Sequence, residues 1–138
     1  VKKPEDLVVL AAKAGHNEHA FGLYMKNNMC LLRLKNKLLI DKMVKEGSPE
    51  YKRLDAAILK AFVFDQIGIP SEDITYTKDM NDIIRMVDGG EAKAGFVMNP
   101  VRIQQLKSVA LNGEKMPPKT TYFYPKLLSG LTIYRFDS

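Results

Sequence analysis

Turn-forming residues divide this 138-residue sequence into short segments, and this division limits the folds that it can adopt. Asparagine, glycine and proline recur together along the chain, at Asn27-Asn28, Gly47 to Pro49, Gly68 to Pro70, Gly89-Gly90 and Asn112-Gly113. Such residues end helices and strands, because they favour turn conformations or lack a backbone donor. No apolar stretch approaches the roughly 18 residues that span a bilayer. The sequence therefore predicts a globular chain of short elements without a membrane partner.

The composition predicts one folded domain over residues 1–138. Hydrophobic residues make up 46% of the chain and charged residues 27%, which is ordinary for a globular protein and unlike a disordered one. The chain begins at Val1 in a charged run. We therefore expect it to be the C-terminal portion of a longer protein, with the missing N-terminal portion as a partner.

Helical patterns alternate with strand patterns along the chain. Helices are predicted from 4 to 14, from 37 to Gly47, from the Ser48-Pro49 cap to Gly68, from 80 to 87, and from Asn99-Pro100 to Asn112-Gly113. In the last of these, Ile103, Leu106 and Ala110 are predicted to share the buried face.

A β-hairpin is predicted over 21–25 and 29–34, because Asn27-Asn28 between them tolerates the backbone angles of a tight turn. Further strands are predicted at 74–77, 94–98 and 131–136. Strands that alternate with helices predict βαβ units with parallel neighbours. The predicted fold class is α/β with α+β character, a mixed sheet of about five strands with helices packed on it.

The formal charge of +5 is concentrated between Lys26 and Arg53. Such a stretch could attract a polyanion. It lacks the interleaved aromatic residues and the glycine-rich motifs of nucleic-acid modules. A solvated basic surface is the favoured interpretation, and nucleic acid is disfavoured as a partner.

Cysteine and histidine usage predicts a reduced, metal-free protein. Cys30 is the single cysteine and lies in an apolar run, which favours packing over nucleophilic chemistry and indicates a cytoplasmic location. His16 and His19 are close together, but no third and fourth zinc ligands recur in a recognisable pattern. No glycine-rich dinucleotide motif follows a strand, so no cofactor is expected.

An unusual polar segment lies near the C-terminus, at residues 116–126, and we call it the proline-braced segment. Its prolines make it stiff, and rigid loops are good platforms for ligands. Lysine charge with nearby hydroxyls suits a phosphate, which predicts an anion site at Lys119, Thr120, Thr121, Lys126 and Ser129, with Tyr122 and Tyr124 as an aromatic wall. The alternative is a structural connection that packs its aromatic rings on the core.

The sequence resembles the C-terminal end of a prokaryotic family, the domain of unknown function 1015. The resemblance rests on 94–100 (AGFVMNP), on the proline-braced segment and on Ser129-Gly130-Leu131, and it extends to 21–24 and 31–34. Thr120 stands where serine is expected in many members. The resemblance implies a longer cytoplasmic protein, often encoded beside genes of serine biosynthesis. It implies no established catalytic residue.

Two functional hypotheses follow from these observations. The first is a ligand-binding lobe of a metabolic protein that recognises a small anionic, phosphorylated molecule, with a link to serine metabolism implied by the resemblance. The second is a non-catalytic interaction or assembly domain, including a homo-oligomer, that uses a sheet edge or the surface 122–124. Whether the protein is an enzyme is left open by the sequence.

Overall fold

The computed structural model describes residues 3–120, which form a mixed α/β structure. Helix α1 (Pro4–Ala14) is followed by strands β1 (Ala20–Met25) and β2 (Asn28–Arg33). A 3-10 turn at Lys37–Leu39 leads into helices α2 (Ile40–Met43), α3 (Pro49–Lys52), α4 (Asp55–Leu59) and α5 (Asp65–Ile67), and a π-helical turn at Lys60–Phe64 joins the last two. A second 3-10 turn at Ser71–Asp73 precedes helix α6 (Met80–Asp88), strand β3 (Ala94–Val97) and helix α7 (Ile103–Leu111).

The first helix and the hairpin are confirmed where the sequence predicts them. Pro4 is the first residue of α1, and the Gly15 amide closes its last turn on the Ala11 carbonyl at 2.9 Å. Met25 pairs with Asn28, and Asn27 in the loop between them has a φ of 66°. Asparagine tolerates this left-handed conformation better than most residues, so local turn chemistry is sufficient to define the hairpin.

The sheet of the described residues has three strands in the order β2-β1-β3, and β1 runs antiparallel to both neighbours. Leu23 lies opposite Cys30 on one side and opposite Phe96 on the other. The expected mixed sheet with parallel βαβ neighbours is therefore wrong for residues 3–120. Strands β2 and β3 do run in the same direction, but β1 lies between them and occupies the place of a parallel neighbour.

The strand predicted at 74–77 is wrong, and the one predicted at 131–136 lies outside the described residues. Thr77 instead supports the start of α6: its hydroxyl accepts from the Asp79 amide at 3.1 Å and donates to Asp82 at 2.7 Å. Tyr76 is 48% exposed. Local side-chain hydrogen bonds thus replace a strand ladder here. The described sheet consequently has fewer strands than expected.

The long helix predicted from Pro49 to Gly68 is present but interrupted. It stops at Arg53, and Leu54 is extended (φ −70°, ψ 134°) before α4 begins. No glycine or proline lies inside this segment to predict the interruption. Leu54 is completely buried in the core. The break thus coincides with a core contact, although the apolar pattern of the sequence continues through it.

Helices cover both faces of the sheet, because the side chains of β1 alternate between two apolar clusters. Phe21 packs with Ile58 of α4 and Val109 of α7. Tyr24, on the opposite face, packs with Leu7 of α1 and Val87 of α6. None of the described helices is long and apolar enough to cross a membrane.

Helix α7 buries a different face from the predicted one. Val109 is completely buried, whereas Ile103 is 78% exposed and Ala110 is also exposed. The helix begins at Ile103 and not at Pro100, and its N-cap residue Arg102 is hydrogen-bonded to the distant backbone of Gly15. The start of α7 is therefore bonded to a residue far away in the sequence. The spacing of apolar residues within the helix does not predict this contact.

Candidate functional site

A cleft of about 370 Å³ opens between the loop 15–19 and the stretch that joins β3 to α7. The C-terminal part of α1, Lys37 and Asp55 complete its walls. We call it the His19 cleft. It lies beside one end of β1, because residues 15–19 lead directly into that strand.

His19 and Asp55 form the closest polar pair in the cleft. The His19 Nδ1 atom lies 2.7 Å from Asp55 Oδ1, and their side chains are only 18% and 19% exposed. The backbone holds both residues in place: the His19 carbonyl accepts from the Leu34 amide at 2.9 Å, and Asp55 is the first residue of α4. The structure thereby fixes the imidazole at the edge of the cleft.

Two basic side chains from other parts of the chain are hydrogen-bonded to the backbone of the loop 15–19. Arg102 Nη2 donates to the carbonyl oxygens of Gly15 at 2.9 Å and of His16 at 3.2 Å. Lys37 Nζ donates to the Asn17 carbonyl at 3.2 Å. Guanidinium has five N–H donors and ammonium has three, so both groups keep further donors for a ligand.

The acidic side chains of the cleft are already paired with cations or with histidine. Glu18 Oε1 lies 3.2 Å from Arg33 Nε, and Asp55 contacts His19. Neither Lys37 nor Arg102 has a carboxylate partner within residues 3–120. The hydrogen-bond partners of Lys37 and Arg102 are thus neutral carbonyl groups, although the carboxylates of Glu18 and Asp55 line the same cleft. Two cations whose charge is not used in an ion pair favour an anionic ligand on their side of the cleft.

Close backbone packing shapes the loop at Gly15. A Cβ atom at this position would lie 2.1 Å from Asn99 Nδ2, and Asn99 uses that nitrogen to donate to the Ala20 carbonyl at 3.2 Å. Glycine is the residue that allows this approach, because it has no side chain. The loop is thus connected to the stretch after β3 by both Asn99 and Arg102.

The predicted anion site at the C-terminus falls mostly outside the described residues. Thr121, Tyr122, Tyr124, Lys126 and Ser129 lie beyond residue 120, so their part in that site stays a prediction. Lys119 is exposed with a φ of 60°. The hydroxyl of Thr120 donates to the Pro117 carbonyl at 2.6 Å, so its proton is used within the segment.

Cys30 and the possible metal ligands are the remaining groups that the sequence analysis weighed. Cys30 is a half-buried residue of β2 opposite Leu23. Within the described residues no group of three or more histidine, cysteine and carboxylate side chains could hold a metal ion.

A second polar pair connects the sheet to α6. The Tyr24 hydroxyl donates to Asp88 Oδ1 at 3.0 Å and to Oδ2 at 3.2 Å. Burial raises the pKa of Tyr24 above its ordinary value of 10.0, and the hydrogen bond and negative charge of Asp88 act in the same direction. The phenol therefore stays neutral at ordinary pH and acts as a donor to this carboxylate.

The sequence does not reveal the residues that form the His19 cleft. His19 and Asp55 are 36 positions apart, and Arg102 is 87 positions from Gly15. No local motif joins residues at such distances. The proximity of His16 to His19 was the one available signal, and it indicated only a pair of loop histidines.

Comparisons of the chain with family models, with curated proteins and with solved structures found no match. The resemblance to the domain of unknown function 1015 thus stays a prediction from the sequence.

Proposed function

We propose that this chain binds a small anionic molecule, with a phosphate group as the preferred anion, in the His19 cleft. In this proposal the chain is one lobe of a larger cytoplasmic metabolic protein. The observation that carries it is the pair of cations, Lys37 and Arg102, that line one cleft without a carboxylate partner among the described residues. The resemblance to a family encoded near serine biosynthesis adds phosphoserine as a natural first ligand.

The geometry favours phosphate because the two cations are anchored before a ligand arrives. Lys37 and Arg102 each hold a backbone carbonyl of the loop 15–19, so part of their conformational entropy is already lost. Charge-assisted hydrogen bonds to phosphate are roughly twice as strong as neutral ones. The cleft supports anion binding more directly than Lys119 and Thr120 do, since the Thr120 proton is already donated to Pro117.

The test is calorimetric titration of the chain with O-phosphoserine and with inorganic phosphate. Arg102→Gln should weaken the binding of O-phosphoserine by at least about tenfold, because it removes a charged donor. Arg102→Lys should restore part of the affinity, because it keeps the charge but not the planar fork of donors.

Arg85→Gln is the matched control for this experiment. Arg85 is an exposed residue of α6 that pairs with Glu91, just beyond the helix, at 3.0 Å, and it does not line the cleft. The control removes the same formal charge, so equal losses in both glutamine variants would indicate a general charge effect and contradict the proposed site. No binding of either probe to the unchanged chain would contradict the proposed function itself.

The second candidate function is an assembly domain, and exposed apolar side chains favour it. Leu38 is 87% exposed, Ile103 78% and Leu111 77%. Single exposed apolar side chains are common in monomers, but Ile103 and Leu111 belong to one helix, α7, and exposed apolar residues that adjoin each other mark interaction surfaces. Assembly through them would give a molecular mass that rises with protein concentration.

A further inference from the structure

We propose that the ligand of the His19 cleft carries a hydroxyl or amine donor beside its anionic group, and that the Nε2 atom of His19 accepts this donor. The inference rests on the proposed function and narrows the class of ligand. It identifies a phosphate monoester of a polyol or of a hydroxy or amino compound, in preference to a plain alkyl phosphate. His19 acts here as a residue that determines specificity.

The protonation of His19 follows from its partner. A carboxylate can only accept hydrogen bonds, so the His19 nitrogen 2.7 Å from Asp55 Oδ1 is the one that carries the proton. That nitrogen is Nδ1, and the neutral imidazole then has a bare lone pair on Nε2. In its neutral form, His19 thus carries a fixed acceptor at the edge of the cleft.

The Nε2 atom is available to a ligand. His19 lines the cleft, and within residues 3–120 the hydrogen bond of its side chain is the one from Nδ1 to Asp55. No side-chain nitrogen or oxygen is both buried and without a partner in this part of the chain, so the free Nε2 atom faces accessible space.

The two cations of the cleft complement this acceptor. Lys37 and Arg102 can only donate, and the carboxylate of Glu18 is paired with Arg33 at 3.2 Å. An anion satisfies the donors and a ligand hydroxyl satisfies His19. A site with a fixed acceptor binds less tightly to an analogue without the donor, because the acceptor then loses its partner.

The first measurement is the imidazole nitrogen spectrum of the ¹⁵N-labelled chain, which distinguishes a proton on Nδ1 from a proton on Nε2. The chain has 2 histidines, so His16 serves as an internal reference. We expect His19 to carry its proton on Nδ1, and Asp55→Asn to introduce the Nε2-protonated form. A proton on Nε2 of His19 in the unchanged chain would overturn the inference.

The second measurement compares two three-carbon phosphate monoesters, glycerol 3-phosphate and propyl phosphate, by calorimetry. The unchanged chain should bind glycerol 3-phosphate about three- to tenfold more tightly, as expected for one added hydrogen bond. His19→Phe keeps an aromatic ring of similar size and should remove this preference. Tyr76→Phe is the control: it removes a polar group from a ring that is 48% exposed and does not line the cleft, so it should preserve the preference.

The outcomes separate the inference from the proposed function. Equal affinity of the unchanged chain for both esters would overturn the inference and leave anion binding intact. A preference that survives in His19→Phe would also overturn it. Binding of neither ester would overturn the proposed function, and the inference with it. If His19→Phe does not fold, the nitrogen spectrum of the unchanged chain still decides the protonation, and Asp55→Asn tests the preference.

Discussion

At Tyr24, burial and a neighbouring carboxylate act in the same direction on one proton. The ring is 8% exposed, and its hydroxyl donates to both oxygens of Asp88. Burial disfavours the charged phenolate, and the negative Asp88 disfavours it further. Because this environment exists only in the folded chain, the proton on Tyr24 connects folding to pH.

Stability should therefore decrease above pH 10, the ordinary pKa of tyrosine. The unfolded chain loses the phenolic proton from that value upward, whereas the folded chain with its raised pKa still retains it. The stabilisation is fully present below the unfolded-state pKa and is lost as the pH rises through the folded-state pKa. Tyr24→Phe cannot ionise, so its free energy of unfolding should fall less steeply in urea titrations above pH 10. Parallel pH profiles for the two proteins would contradict this role.

At the scale of the elements, the segment from Pro49 to Gly68 shows how packing modifies a helix. Ser48 caps its start by accepting from the Tyr51 amide at 3.2 Å, and Gly68 ends it with a φ of 71°. Both ends follow the local sequence. The interior contains the break at Leu54 and the π-helical turn 60–64, and Phe64 at the end of that turn stacks edge-on against Phe96 at 5.2 Å.

Leu54→Ala tests whether the break contributes to the core. Leu54 is completely buried, so the substitution should lower the free energy of unfolding by about 2–5 kcal/mol through lost burial and a new cavity. Leu38→Ala is the matched control, because Leu38 is 87% exposed and its loss should change stability by about 0.5 kcal/mol or less. Denaturant unfolding of both variants provides the measurement. Similar values for the two would show that Leu54 does not hold the core.

At the scale of the whole molecule, the exposed apolar side chains raise the question of whether the protein is a monomer or forms an assembly. Ile103 and Leu111 belong to α7, whose buried side is centred on Val109. The outward side of this helix therefore combines apolar residues with Lys107, which is also exposed. A self-complementary contact along such a face would generate a symmetric dimer.

Light scattering across a range of concentrations tests this assembly. In the assembly hypothesis the mass of the unchanged chain rises toward that of a dimer, and Ile103→Lys keeps it at the monomer value, because a charge in a desolvated contact is costly. Leu38→Lys is the comparison variant on a different exposed segment. A monomeric mass at every concentration would remove the assembly hypothesis in its homo-oligomeric form.

Sequence patterns predicted the features that depend on neighbours within a few positions. The start of α1 at Pro4, the hairpin at Asn27 and the start of α6 at residue 80 are all confirmed, and Asp79 Oδ1 caps α6 by accepting from the Asn81 amide at 2.9 Å. Caps and tight turns are made by side chains and backbone groups close in sequence. The mixed α/β class follows from the same signals.

Only the tertiary structure decided the direction of β3, the break at Leu54 and the site itself. The pairing of β3 with β1 and the contact of His19 with Asp55 join residues that are far apart in the sequence. Apolar spacing indicates that a face is buried, but it does not specify what covers it. The sequence by itself thus determined the ends that local caps and turns define, such as the start of α1 and the hairpin loop. The packing of the elements brought His19, Asp55, Lys37 and Arg102 around one cleft.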